Sequence, residues 1–130
     1  MTDHPNSPLE VVRAFLTAME RMDYDAALPL IDPGCEYTNG PLGTVQGPAG
    51  VRGMLEPFFA PILENQFVVA REVASGPMVV IERLDRHRLP TGWVELPVTG
   101  VFEVQGGLIT VWHEYFDVAT LQNQMAAAAA

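Results

Sequence analysis

Hydrophobic positions change their spacing about halfway along the chain. Leu9, Val12, Phe15, Leu16 and Met19 recur every three or four residues, which is the period of one helix face. Ser7-Pro8 followed by Glu10 supplies the start of that helix: a hydroxyl cap, a proline in the first turn and an early acid. Asp23 can cap a second helix over residues 24–31, stopped by the turn sequence Asp32-Pro33-Gly34. Residues 35–39 read as a short strand entering the loop Gly40-Pro41-Leu42-Gly43. A third helix is expected from Pro48 to about residue 63, kinked or broken by Pro57 and Pro61.

From Gln66 onward the period shortens to two. Strands are predicted over 67–74, 78–89, 93–104 and 108–116. The turns between them are Ser75-Gly76-Pro77, Pro90-Thr91-Gly92 and Gln105-Gly106-Gly107. A closing helix follows from Val118 to about Met125. Helices first and a long, largely antiparallel sheet afterwards describe an α+β domain whose helices cover one sheet face. Strong curvature would let that face enclose a pocket. The chain is expected to be one domain over residues 1–130, with short tails at about 1–7 and at the alanine-rich 126–130.

Strand alternation then makes a chemical statement. Val79, Ile81, Arg83 and Asp85 fall on one face, and Val80, Glu82, Leu84 and Arg86 on the other. If the two aliphatics face the core, an arginine and a carboxylate go in with them. In the last strand Trp112, Glu114 and Phe116 share a row, so Glu114 sits among aromatic neighbours. Tyr37 and Asn39 share a face at the end of the first strand. Two carboxyls joined by an arginine can hold one proton and one negative charge, which divides general acid from general base. A phenol and an amide can hold a water near the base. The alternative for Arg83 and Asp85 is a purely structural ion pair, and for Asn39, beside Gly40, a turn role.

Composition narrows the classes. The chain has 130 residues, 48% hydrophobic and 18% charged, with a net charge of −9. That sign argues against nucleic acid or an anionic membrane as the main partner. No apolar run is long enough to span a membrane. The single cysteine, Cys35, excludes an intrachain disulfide, and residues 1–8 lack the pattern of a secretory signal, so a cytoplasmic protein is expected. His4, His87 and His113 have no metal-site spacing, and the chemistry above needs no metal or cofactor.

Together, Tyr-x-Asn at 37–39, Glu-Arg-Leu-Asp at 82–85, Leu-Pro-Thr-Gly at 89–92, Gly-Val-Phe at 100–102 and Trp-His-Glu-Tyr-Phe-Asp at 112–117 resemble the limonene-1,2-epoxide hydrolase family. The likeness runs from about Leu9 to Leu121. It implies the cone-shaped, curved mixed sheet of the nuclear-transport-factor-two group, which also holds SnoaL-like polyketide cyclases and ketosteroid isomerases. It further implies one-step hydrolysis of a small apolar epoxide to a vicinal diol, without cofactor and without a covalent intermediate. Asp85 then falls on the general acid, Arg83 on the bridge between carboxyls, and Tyr37 and Asn39 on the groups holding the attacking water. Glu114 stands where the family has its aspartate base, with a side chain longer by about 1.5 Å. Val79, Ile81, Leu96, Val98, Trp112 and Phe116 are expected to line the substrate pocket, and a homodimer is expected. An epoxide-opening cyclase, a SnoaL-like cyclase or isomerase, and a non-catalytic binding or dimerisation module remain as alternatives.

Overall fold

A computed structural model describes residues 7–129. Helix α1, Pro8–Glu20, opens with a full capping box: Ser7 accepts from the Glu10 backbone N–H, and Glu10 accepts from the Ser7 N–H. Its buried face is Val11, Val12, Phe15, Leu16, Ala18 and Met19. Asp23 caps α2, Tyr24–Ala27, as expected, but this helix lasts one turn. Pro29 then sits in a 3₁₀ turn, Leu28–Leu30, because its ring blocks a continuing α-helix.

Strand β1 begins earlier than the sequence suggests, at Ile31, and runs to Asn39. The expected turn Asp32-Pro33-Gly34 is instead an irregularity inside that strand, where the register with its neighbour shifts between Ile31 and Glu36. A bulge absorbs a proline that a regular ladder would reject. A three-residue strand, β2 (Thr44–Gln46), follows and was not expected. Helix α3 covers Gly47–Phe59, with Pro57 inside its last turn; it stops four residues short of the expected end.

The remaining strands are β3 (Glu64–Ser75), β4 (Met78–Leu89), β5 (Gly92–Gln105) and β6 (Leu108–Tyr115). Helix α4, Val118–Ala129, absorbs most of the alanine-rich segment expected as a tail. Alanine is the best helix former, so the run extends the helix rather than ending it. Of the expected N-terminal tail, Ser7 is the α1 cap, and residues 1–6 lie outside the described residues. One six-stranded sheet has the order β2-β1-β6-β5-β4-β3. Every neighbouring pair is antiparallel except β1 and β6, which run parallel and make the sheet mixed.

The helices pack on the concave face. There the core of Val12, Phe15, Ala27, Ile31, Cys35 and Val51 meets the inward rows of the sheet. Burial alternates without a break along β4: Val79, Ile81, Arg83, Asp85, His87 and Leu89 are inward, and the residues between them are partly exposed. That period sends three polar side chains into the interior. No helix among the described residues is long and apolar enough to cross a membrane.

Candidate active site

The inward row of β4 meets inward positions on both neighbouring strands. Asp85 lies opposite Leu96 of β5 and Phe67 of β3, and Arg83 lies opposite Val98. Two strands further along the sheet, Glu114 of β6 is flanked by Gly100 of β5 and Asn39 of β1. Tyr37 of β1 pairs with Trp112 in the neighbouring row and stacks on it, with ring centroids 3.8 Å apart. Curvature carries these rows toward one another.

Arg83 links the two carboxyls. Its Nε and Nη2 donate to Asp85 at 2.7 and 3.1 Å, and its Nη1 donates to Glu114 Oε2 at 3.3 Å. A further bond runs from Nη2 to Glu114 Oε1. The arginine side chain is 3% exposed, and those of Asp85 and Glu114 are 10% and 7% exposed. One face of the guanidinium lies 5.6 Å from the centre of the Phe67 ring.

Gly100 makes this reach possible. A Cβ there would run into the Glu114 carboxylate, and would lie 2.9 Å from the Phe102 ring and 3.0 Å from Arg83 Nη1. The missing side chain is the space through which the longer glutamate reaches the arginine. Gly-Val-Phe thus acts in the site through its glycine, a role that sequence alone had not indicated.

Burial governs the electrostatics. It pushes the Asp85 carboxyl up to about 6, helped by the charges of Glu114 and Glu20 and opposed by Arg83. Burial also works against the charge on Arg83, but Glu114 and Asp85 outweigh it and raise the pKa of the guanidinium. Tyr37 is held far above the usual phenol range by burial, with Glu114 adding to it, so it remains a neutral O–H donor. Neither the Tyr37 hydroxyl nor the Asn39 amide bonds another side chain among the described residues, and both residues line the cavity.

That cavity comprises about 710 Å³ of non-atom space including its mouth. Leu96, Val98, Trp112 and Phe116 line it, together with all five polar residues singled out from sequence. Val79 and Ile81 do not. Both are fully buried core residues, and Ile81 borders a separate recess beside Arg13, Glu20 and Glu72. The aromatic tier of Phe15, Trp112 and Phe102 fills the cone at the level of Val79. The opposite wall is supplied by helices: Leu16, Met19, Met54, Phe58 and Phe59. Phe116 covers one side, packed where Gly40 has no side chain, since a Cβ there would lie 2.7 Å from its ring.

Three further polar residues belong to the site beyond those the sequence pointed to. His87 continues the inward row beyond Asp85 and also lines the cavity, a place that extending the alternation by one step would give. Its Nδ1 is 2.7 Å from Asn65 Oδ1. Glu20, at the end of α1, accepts from the Phe67 backbone N–H at 2.7 Å. The first contact pairs residues at the open ends of the β3–β4 hairpin, and the second joins α1 to β3 across 47 residues, so neither left a local signal. Among the described residues there is no group of three or more histidine, cysteine, aspartate or glutamate side chains placed to hold a metal ion.

A sequence model of the limonene-1,2-epoxide hydrolase catalytic domain matches residues 6–127. The chain belongs to that family. It is 31% identical over 107 residues to epoxide hydrolase EphG of Mycobacterium tuberculosis, covering 82% of this chain and 71% of the relative. The structure of a limonene-1,2-epoxide hydrolase-like enzyme of M. tuberculosis superposes with a TM-score of 0.78 at 28% identity, over 94% of each chain. A putative SnoaL-like polyketide cyclase from Shewanella denitrificans reaches a TM-score of 0.83 at 14% identity, over 92% of this chain and 97% of that one. The latter is a likeness of fold. As a member of the family, this chain is an epoxide hydrolase-like protein with the cone fold of the wider group.

Proposed function

We propose that the protein hydrolyses a predominantly apolar epoxide to a vicinal diol in one step, with no cofactor. The observation that carries this reading is the Asp85–Arg83–Glu114 bridge on the wall of a largely apolar cavity. A water oxygen, held by Tyr37 and Asn39, forms a bond to one ring carbon while Glu114 takes its proton. The ring C–O bond breaks, and its electron pair stays on the oxygen, which takes the proton of Asp85. Transfer of one proton from Glu114 back to Asp85 through solvent resets the pair. Arg83 holds both carboxyls in place and balances whichever is charged. The longer Glu114 serves as base because Gly100 leaves room for it.

An acid must carry its proton. At a pKa of about 6, about a tenth of Asp85 is protonated at pH 7, roughly a hundredfold more than for an ordinary aspartate. The proton is lost as pH rises, so kcat/KM should fall above about pH 6. A panel of epoxides in ¹⁸O-water should give singly labelled diols. Asp85→Asn should lower kcat by about 10²–10⁴-fold. A folded protein inactive on the whole panel overturns the proposal, and a cyclic ether without ¹⁸O would assign the chemistry to an epoxide-opening cyclase, with a substrate hydroxyl as nucleophile.

The working form is proposed to be a cytoplasmic homodimer that needs neither nucleic acid nor membrane. In support, Val68, Val73, Met78 and Tyr115 leave 41–63% of their surface exposed on the sheet. Light scattering behind size exclusion checks this, and a monomer at micromolar concentration counts against it.

A further inference from the structure

The hydrolysis proposed above uses five polar residues of the cavity and leaves His87 idle. This side chain is 2% exposed on the molecular surface, and it borders the cavity beside Phe58 and Phe59. It is the next inward residue after Asp85 on β4, so the two Cα atoms stand about 6.5–7 Å apart.

The hydrogen bonds around His87 fix which nitrogen carries the proton. Asn65 Nδ2 donates to the Glu20 carbonyl at 3.4 Å, which turns the amide oxygen toward His87. That oxygen, 2.7 Å from Nδ1, can only accept, so Nδ1 is the protonated nitrogen. Nε2 is then a bare lone pair. It makes no hydrogen bond to any described residue. The only fully buried side-chain nitrogen or oxygen without a partner among those residues is Trp112 Nε1. Nε2 is therefore not sealed off, and its ring lines the cavity. Burial, and next the charge of Arg83, lower the pKa of the ring to about 4, so the ring is a neutral acceptor across the physiological range.

We propose that His87 Nε2 is a specificity determinant that accepts a hydrogen bond from a hydroxyl on the substrate, making the preferred substrate an epoxy alcohol. This rests on the epoxide reading of the same cavity. With the epoxide oxygen at Asp85, the spacing along β4 sets the hydroxyl about 6–7 Å away, a separation of roughly five or six bonds. The rest of the skeleton contacts Leu96, Val98 and Phe58. An acceptor in an apolar wall penalises a substrate that lacks the donor, because the lone pair loses water and gains nothing.

The test compares 5,6-epoxyhexan-1-ol with its methyl ether and with 1,2-epoxyhexane. In the wild type, kcat/KM is expected to favour the alcohol over both. In His87→Leu that preference should fall about ten- to a hundredfold, and His87→Gln, which keeps an acceptor, should restore part of it. A preference unchanged in an active His87→Leu protein overturns the proposal, as does a wild type that turns these epoxides over without favouring the alcohol. A second measurement is independent of turnover. In protein with ¹⁵N-labelled histidine, hexan-1-ol should shift the His87 Nε2 resonance and 1-methoxyhexane should not. An unshifted Nε2 at saturating hexan-1-ol, or equal shifts from both compounds, also overturns it. If no epoxide is turned over but hexan-1-ol alone moves Nε2, the hydrolase reading fails and the hydroxyl site stands.

Discussion

Two carboxylates of strand β4, Asp85 and Glu82, lie on its opposite faces and are each held by an arginine in nearly the same geometry. Arg83 holds Asp85 through two bonds of 2.7 and 3.1 Å on the inner face. On the outer face, Arg71 of β3 holds Glu82 through two bonds of 2.5 and 3.0 Å. The side chains of the inner pair are 3% and 10% exposed, and those of the outer pair 81% and 41%. Their acidities move in opposite directions. The bond from Arg71 holds Glu82 below the usual carboxylate range, while burial lifts Asp85 to about 6 despite an equivalent arginine. A salt bridge does not by itself set a carboxyl's pKa. The sign is decided by whether the attraction outweighs the loss of water.

Breaking each pair should expose this difference. Arg83→Met strands two buried carboxyls and is expected to cost about 3–5 kcal/mol in urea unfolding at pH 7. The deficit should shrink as pH falls. A carboxyl whose folded pKa is raised binds more protons folded than unfolded, so its protonation restores stability on the acid side. A deficit that stays constant down to pH 4 would show that packing, not charge, was lost. Arg71→Gln removes the same kind of bond in water and should leave the denaturation midpoint unchanged. Equal losses from the two substitutions would erase the contrast between the faces.

A subtler change sharpens it. Gly100→Ala adds one methyl group where Glu114 and Arg83 meet. It should cost about 1–3 kcal/mol by overpacking and, by displacing Glu114 on the order of 1 Å, about a hundredfold in kcat/KM. Gly53, an exposed residue in α3 with no atom within 4 Å of an added Cβ, is the control. Its alanine variant should be more stable by about 0.4–1 kcal/mol, with the rate unaltered.

The inner row of β4 was legible because a strand has a strict period of two. Once Val79 and Ile81 are inward, Arg83, Asp85 and His87 must follow. The same rule placed Trp112 and Glu114 together on β6, and Tyr37 with Asn39 on β1. It also led the pocket wall astray at Val79 and Ile81, since alternation gives a residue's face and not its depth in the cone. The second helix was read too long because the pattern of 24–31 is apolar enough for a helix, while Pro29 ends it. Strand β2 is three residues long, too short for any period to show, and exists because it pairs with β1.

By itself, then, the sequence determined the main helices and the long strands, the face each of those strands presents to the core, and the family. These follow from local periodicity, capping residues and short motifs, all of which act over a few neighbouring residues. Only the tertiary structure decided that Arg83 touches Glu114, 31 residues away. It likewise decided that Gly100 clears the way for this contact, and that Asn65 and Glu20 orient a histidine beside Asp85. The reason is physical. Strand curvature and register bring distant rows together, and the charges, once dry, acquire the pKa values that the chemistry uses.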